Sequence, residues 1–286
     1  MKIAVEKYPF ILSEKIGPYI FLERLSKELK KNKIGLTNKF YPFYDFSIFA
    51  STNKSFYKKP YFLRVGGIFF DNKDKITNTL ISNKEIFKSI DNSIGTIFIS
   101  EFTKKLVTKF HQNFNKNCVV INNAVPLDVF SSEGKNFRDK LNIKKDDFVI
   151  IASATWRRHK RLDEIIELFL RLKLKVKNLK LIILGYYNKK KIDKDIIIAG
   201  NIFPYNLPAW YRTADMYIHL AWVDQNPNTL VEAIACGLPS ICSNNGGTRE
   251  LIEKTSSGIV SQVDKNYEFQ LVDYYNPPAP NYETLI

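Results

Sequence analysis

Cysteine is scarce in this chain, and its scarcity excludes two kinds of protein. The 286 residues contain three cysteines, Cys118, Cys236 and Cys242. They are too few and too widely spaced for a disulfide framework or a structural zinc site. We therefore expect a protein of the reducing cytoplasm.

Long apolar runs are also missing. No stretch of the sequence approaches the length of a membrane span. Met1 is followed by a strand pattern rather than by an apolar signal segment. The sequence therefore predicts neither a membrane-spanning nor a secreted protein.

Acidic residues are in deficit, with 29 against 43 basic residues and a formal net charge of +14. This balance favours anionic partners such as nucleotide diphosphates or acidic lipid headgroups, and nucleic acid is the partner that we expect least. A composition bias without function explains part of the charge equally well. Residues 19–34 combine an apolar helical face with several lysines, so peripheral association with the inner membrane surface is a hypothesis, although core packing is the first expectation for that face.

The length and the order of the patterns predict two α/β domains. We predict buried strands from the apolar runs at residues 2–5, 61–65, 96–99 and 118–121. A second alternation of strands and helices begins with the apolar runs at 148–153, 181–184 and 216–220. Helical patterns follow Gly17, Ser100 and Arg161. The polar segment 131–147 resembles a linker, which gives domains 1–135 and 136–286. We expect two Rossmann-like halves with parallel sheets that face each other across a cleft.

The stretch 221–250 combines two predicted helix starts with a glycine turn. Asn226 is the expected N-cap of a helix with Pro227 in its first turn, and Gly237 ends that helix. Gly246-Gly247 leads into a second helix. Because helix N-termini offer unpaired backbone N–H groups and partial positive charge, this arrangement predicts a cradle for an anion such as a diphosphate.

The same stretch resembles family-4 retaining GT-B glycosyltransferases. The resemblance rests on Asp224, seven residues, Glu232 and the following AIACGLP, and on the turn from Gly246 to Glu250. In that family the first acid is usually Glu. Residues 121–125 resemble the family's interdomain hinge.

The resemblance implies roles for several residues of the second half. Asp224 would be the catalytic residue, which contacts the donor sugar and steadies positive charge at its anomeric carbon. Glu232 would bind the ribose of the donor. The backbone amides of residues 226–230, which include Asn226, Asn228, Thr229 and Leu230, would bind the sugar and phosphates.

The resemblance also implies a basic diphosphate site after the strand 148–153. Lys160 matches the family's lysine, whereas Thr155 stands where the family usually has arginine, so Arg157 or Arg158 would take that role. Gly17 matches the glycine loop that approaches the donor phosphates. A solvated basic turn and a plain helix start are the structural alternatives for these two segments.

Weaker signals concern metals and the acceptor. Asp193-Lys-Asp195 has the spacing of metal-dependent sugar transferases, but an exposed turn is the better interpretation, so we expect no metal and no cofactor beyond the donor itself. No histidine lies in the first hundred residues, so the acceptor-side base is unassigned. We expect His159 in an exposed turn and His219 in the core. The glycines after Arg64 either line the cleft or end a strand.

The primary hypothesis is transfer of a hexose from a nucleotide diphosphate sugar to a hydroxyl acceptor with retention of configuration. The resemblance implies that residues 1–135 form the acceptor-side domain and residues 136–286 the nucleotide-sugar donor domain. The acceptor, whether a glycan, a lipid-linked sugar or a small molecule, stays open. One alternative is a nucleotide-sugar epimerase on the same fold. The other is a degenerate transferase that binds anions or nucleic acid through its basic surface.

Overall fold

A computed structural model of the chain describes residues 1–6, 17–38, 40, 43–52, 59–70, 76–187 and 193–286. The chain divides into two compact units. Unit 1 contains Met1–Ala124 and Phe269–Val272, and unit 2 contains Val125–Glu268 and Asp273–Ile286. Each unit is an α/β structure with a parallel six-stranded sheet.

Unit 1 begins with a strand and alternates strands with helices. In chain order its elements are β1 (Lys2–Val5), α1 (Gly17–Lys31), β2 (Gly35–Thr37), β3 (Phe46–Ala50), β4 (Tyr61–Val65), α2 (Ile76–Asp91), β5 (Gly95–Phe98), α3 (Glu101–Phe110) and β6 (Cys118–Val120). The sheet order is β2-β1-β3-β4-β5-β6, and all neighbouring strands are parallel.

Helix α1 packs its apolar face on this sheet. Leu22 is fully buried, and Leu25 and Leu29 pack against the core formed by β1 and β3. The lysines of the helix lie on its exposed side. Core packing, the first expectation for this face, is confirmed. No helix of the described residues is long and apolar enough to cross a membrane.

Unit 2 repeats the alternation. Its elements are β7 (Phe148–Ser153), α4 (Leu162–Lys173), β8 (Leu179–Leu184), β9 (Ile196–Gly200), α5 (Leu207–Tyr211), β10 (Met216–His219), α6 (Asn228–Ala235), β11 (Ser240–Ser243), α7 (Gly247–Thr255) and β12 (Gly258–Ser261). The sheet order is β12-β11-β10-β7-β8-β9. The order reverses beside β7, which makes the β7–β10 boundary the topological switch point.

The division between the units falls after Ala124, within the hinge-like residues 121–125, and not near residue 135. The reason is packing of the segment that resembled a linker. Phe130 is buried in a core cluster of unit 2, and Arg138 donates hydrogen bonds to Asp215 at 3.1 and 3.2 Å. Residues 125–135 are therefore part of unit 2.

The helix after Asp224 starts later than the sequence suggested. Helix α6 begins at Asn228, and its N-cap is Pro227 in an extended conformation, so the prediction of Asn226 as N-cap is wrong. Proline has no N–H to leave unpaired, and its fixed φ suits the entry into the helix. The helix end is confirmed, because Gly237 has a φ of +81°, which glycine adopts without strain.

Candidate functional site

The carboxyl ends of β7 and β10 meet at the switch point of the unit 2 sheet. The segment after β7 contains the 3₁₀ turn Arg158–Lys160, and the segment after β10 contains Asp224. In open parallel sheets, ligands bind in the crevice outside such strand ends. The topology therefore brings Lys160 and Asp224, which are 64 residues apart, to one place.

Lys160, Asp224 and His219 form a hydrogen-bonded cluster at this place. Lys160 Nζ donates to Asp224 Oδ2, and His219 Nε2 lies 3.1 Å from the same oxygen. Burial raises the pKa of Asp224, but the positive charge of Lys160 and the hydrogen bond from His219 outweigh it and hold the pKa well below its usual range. Asp224 is therefore a carboxylate at neutral pH.

His219 supplies a neutral hydrogen-bond donor to that carboxylate. Burial lowers the pKa of His219, although the hydrogen bond to Asp224 raises it. Because a carboxylate only accepts hydrogen bonds, the neutral imidazole must carry its proton on Nε2. The sequence predicted His219 as a core residue, and it is buried. Its contact with Asp224 is one that the apolar strand pattern did not indicate.

The glycine turn Gly246-Gly247 fixes the backbone of Asp224. Gly247 N donates to Asp224 O at 2.7 Å, and Gly246 has a φ of +99°. A methyl group at Gly246 would lie 2.2 Å from Asp224 O, which only glycine avoids. The N–H of Gly247 is thus used inside the protein, and the turn holds the Asp224 segment.

The first turn of α6 offers backbone amides beside this cluster. Asn228, Thr229 and Leu230 are its first three residues, whose N–H groups have no intrahelical acceptor, and the turn contains no acidic residue. Thr229 Oγ1 accepts a hydrogen bond from Tyr217 at 2.9 Å. The side chain of Leu230 is buried in the core, so any ligand contact is through its backbone.

Glu232 and Asn226, which were predicted to bind the nucleotide sugar, both face the interior of unit 2. Glu232 is 4% exposed and accepts a hydrogen bond from the Tyr211 hydroxyl at 3.2 Å. Burial and the charge of Glu232 raise the pKa of Tyr211, so the tyrosine stays a donor. Asn226 is also buried.

The two arginines of the basic turn differ in their contacts. Arg158 pairs with Glu164 at the start of α4, so it is already partnered. Arg157 is exposed, and no carboxylate of the described residues forms an ion pair with it. Of the two arginines, Arg157 has the guanidinium available for a diphosphate.

His159 is buried, and the prediction of an exposed turn residue is wrong. Its ring stacks on Tyr274 at 4.1 Å between centroids, and the Tyr274 hydroxyl donates to Val223 O at 3.2 Å. Burial and the neighbouring charge of Lys160 lower the pKa of His159 to about 3. The tail segment that carries Tyr274 is what covers the imidazole.

Arg161 is a residue whose role the sequence analysis missed. Its side chain is completely buried, it pairs with Asp264 through two hydrogen bonds of 2.6 and 2.8 Å, and it also donates to Leu220 O and Pro278 O. It connects the Lys160 turn, the end of β10 and the tail. Its neighbours in the sequence gave no signal, because Asp264 is 103 residues away.

The remaining predicted positions lie outside this cluster. Gly17 is the first residue of α1 in unit 1, and the loop before it lies outside the described residues, as do 188–192 of the lysine-rich tract. Asp193 and Asp195 both pair with Lys173. No cluster of potential metal ligands occurs within the described ranges.

Comparisons with known proteins found a matching family model, similar sequences and similar structures. Residues 133–270 match the family model Glycosyl transferases group 1. Alpha-monoglucosyldiacylglycerol synthase of Acholeplasma laidlawii is 23% identical over 243 residues, which are 71% of this chain and 61% of that protein. The chain thus spans less than two thirds of the length of this relative.

Solved structures share the fold of both units. A glycosyltransferase from Rickettsia africae matches with a TM-score of 0.61 and 16% identity over 92% of this chain and 84% of its own. Anabaena HepE, solved in complex with UDP-glucose, matches with a TM-score of 0.61 and 13% identity over 88% of this chain and 82% of its own. The two parallel sheets of this chain therefore have the GT-B fold.

Proposed function

We propose that the protein transfers a hexose from a nucleotide diphosphate sugar to a hydroxyl acceptor with retention of configuration. The observation that carries the proposal is the Lys160–Asp224–His219 cluster at the switch point of the unit 2 sheet. It places a cation and a carboxylate beside the first-turn amides of α6. A cation can neutralise the diphosphate of the donor, and a carboxylate can accept hydrogen bonds from the hydroxyls of its sugar.

The proposed chemistry is largely electrostatic. Lys160, Arg157 and the amides at the start of α6 stabilise the negative charge that develops on the departing diphosphate. Asp224 steadies the positive charge that develops at the anomeric carbon, and Glu232 accepts hydrogen bonds from the ribose hydroxyls. The departing phosphate takes the proton of the acceptor hydroxyl as the new glycosidic bond forms.

His219 adapts this site to aspartate. Asp is one methylene shorter than the Glu that the family usually has, so its carboxylate reaches less far from the backbone. The hydrogen bond from His219 and the backbone contact with the glycine turn Gly246-Gly247 hold the shorter side chain in one orientation. In the proposed reaction His219 is a positioning residue.

Two names among the comparisons support the donor class. Anabaena HepE was solved with UDP-glucose, and the relative from Acholeplasma laidlawii is named alpha-monoglucosyldiacylglycerol synthase. These names favour a uridine nucleotide and a glucose-like hexose as the first donors to test. The basic diphosphate site makes a divalent metal unnecessary in this proposal.

The deciding experiment is calorimetric titration with UDP-glucose, UDP-galactose and GDP-mannose, followed by product analysis with and without EDTA. Wild-type protein should bind one donor with micromolar affinity, Lys160→Met should weaken it by about tenfold to a hundredfold, and Lys254→Met on the surface of α7 should not. Absence of donor binding and of hydrolysis would overturn the proposal.

Product analysis also separates the alternatives. A transferase releases a nucleoside diphosphate and a glycosylated acceptor, whereas an epimerase returns a changed nucleotide sugar without an acceptor. Salt-dependent binding to DNA that nucleotide sugar does not affect would instead favour the degenerate binding protein. EDTA should leave transfer unchanged.

A further inference from the structure

Unit 1 buries an arginine at the carboxyl edge of its sheet. Arg64 lies near the end of β4, is 3% exposed, and pairs in register with Ala50 of β3 and Ile97 of β5. Gly66, two residues further along the chain, borders open space, since a methyl group there would meet no atom of the described structure within 4 Å. The guanidinium is therefore at the edge where parallel sheets bind ligands.

The contacts of Arg64 with the described residues include no counter-ion. One terminal nitrogen donates to Asn123 Oδ1, and the guanidinium carbon lies 4.0 Å from the ring centre of Phe21. Its Nε–H is buried and has no hydrogen-bond partner. No carboxylate of the described residues forms an ion pair with it.

The group remains a cation at neutral pH. Burial lowers the pKa of Arg64 to about 10, which still leaves it protonated at pH 7. Buried charges in proteins are as a rule paired or hydrogen-bonded, because an uncompensated one is costly. A buried cation that has no carboxylate partner among the described residues, at the sheet edge where ligands bind, favours an anion as its ligand.

Helix α1 adds positive potential to the same place. Phe21, which lies under the guanidinium, is one turn from the helix start at Gly17, and the first turn contains no acidic residue. The partial positive charge of a helix N-terminus favours anions within about one turn. Two independent features of unit 1 thus select the same sign of ligand.

We propose that Arg64 binds an anionic group, a phosphate or a carboxylate, that the acceptor carries. The acceptor would then be an acidic or phosphorylated molecule rather than a neutral sugar. This assignment rests on the proposed transferase function, in which unit 1 holds the acceptor. The binding of the anion itself does not depend on turnover.

The test measures thermal unfolding at constant ionic strength with glucose 6-phosphate, glucuronate or neutral glucose. At about ten times the dissociation constant, the matching anion should raise the Tm of the wild type by roughly 2–4 °C, and glucose should not. The anion that gives the larger shift identifies the group as phosphate or carboxylate.

Three variants separate Arg64 from other cations. Arg64→Met should lose the shift. Arg24→Met, on α1 of the same unit, and Lys160→Met, in the predicted donor site, should keep it. Without ligand, Arg64→Met should unfold at the wild-type temperature or higher, because it removes an uncompensated buried charge.

Two outcomes would overturn the proposal. They are a shift that Arg64→Met retains and no shift of the wild type with either anion. If Arg64→Met does not fold, Arg64→Lys and direct calorimetric titration of the wild type decide. Donor titration of Arg64→Met and Arg24→Met should match the wild type, whereas Lys160→Met should bind donor more weakly, so failure of the transferase function would be recognised separately.

Discussion

Each unit of this protein buries an arginine, and the two are treated in opposite ways. Arg161 in unit 2 is completely buried. It donates two hydrogen bonds to Asp264 and also donates to two backbone carbonyls. Arg64 in unit 1 is almost as deeply buried, but it donates to the amide oxygen of Asn123 and packs on the ring of Phe21. The first charge is balanced within the fold, and the second is not.

The difference separates a structural charge from one available to a ligand. A buried ion pair whose two terminal nitrogens both bind a carboxylate fixes the segments that carry it, and removing one partner leaves the other charge uncompensated. Arg161 fixes the tail and the Lys160 turn in this way. Arg64 has no carboxylate partner among the described residues, so its charge is available to an anionic ligand.

The largest predicted effect tests the structural side of this comparison. Arg161→Met should lower the free energy of unfolding by about 3–5 kcal/mol, because Asp264 would remain as a buried, unpaired carboxylate. Urea denaturation of the purified variant measures this loss. Asp264→Asn should cost a similar amount, since it leaves the guanidinium uncompensated.

Arg64→Met is the matched control in unit 1, and its free energy of unfolding should equal or exceed that of the wild type. Equal losses of unfolding free energy for Arg161→Met and Arg64→Met would mean that both arginines stabilise the fold to the same extent. The double variant Arg161→Met/Asp264→Leu should recover part of the loss, because both charges leave together.

A second prediction concerns the charge of Lys160 in the candidate site, which loses its partner when Asp224 is replaced. Asp224→Asn leaves Lys160 without its carboxylate and should lower stability at pH 7 by about 2–3 kcal/mol. Because the pKa of Asp224 is depressed in the folded state, its stabilisation is complete above the unfolded pKa of about 4 and is lost as the pH falls below it.

The measurement is urea denaturation between pH 7 and pH 2. Wild-type stability should decline more steeply than that of Asp224→Asn below about pH 5, so the two curves approach each other. Asp193→Asn, which changes a more exposed acid paired with Lys173, is the control and should alter the curve less. Parallel curves for wild type and Asp224→Asn would contradict the prediction.

Local signals in the sequence predicted much of the fold. The start of helix α3 after Ser100 was predicted, and Ser100 is the N-cap, whose hydroxyl accepts from Thr103 N at 2.9 Å. The strands β1, β4 and β7 were predicted with their bounds, since each is a short apolar run.

The parts that were missed depend on contacts between distant segments. The burial of His159 follows from the ring of Tyr274, and that of Arg161 follows from Asp264. Neither pairing leaves a periodic trace in the sequence. Asn226 looked like an N-cap by residue type, but the helix begins after Pro227. The resemblance located the candidate site, and the structure added His219 and the contact between the glycine turn and Asp224.

A third prediction concerns a buried group that the fold keeps neutral. The pKa of His159 is lowered to about 3 from about 6.5, so between these values the unfolded chain binds a proton that the folded protein does not. Stability should therefore fall as the pH drops through this window. The contribution lost between pH 7 and pH 5 is about 2 kcal/mol.

His159→Phe keeps a ring for Tyr274 and removes the proton. Its stability difference between pH 7 and pH 5 should be smaller than that of the wild type by that amount, measured by urea denaturation at both values. Tyr274→Phe, which keeps the imidazole and its aromatic cover, should behave like the wild type. An unchanged difference in His159→Phe would mean that the imidazole is protonated in the fold.

The smallest predicted effect asks whether His219 orients Asp224 or merely fills the core. His219→Leu fills the space without a donor, so the carboxylate keeps Lys160 and loses one hydrogen bond, a change of about 1.5 kcal/mol. In the proposed reaction this should lower kcat by about tenfold with little change in the KM of the donor, because the lost contact acts on the developing charge. His219→Gln, which restores an N–H donor, should recover part of the rate. A loss confined to KM, or equal rates for the two variants, would assign His219 to packing alone and leave Lys160 as the group that orients Asp224.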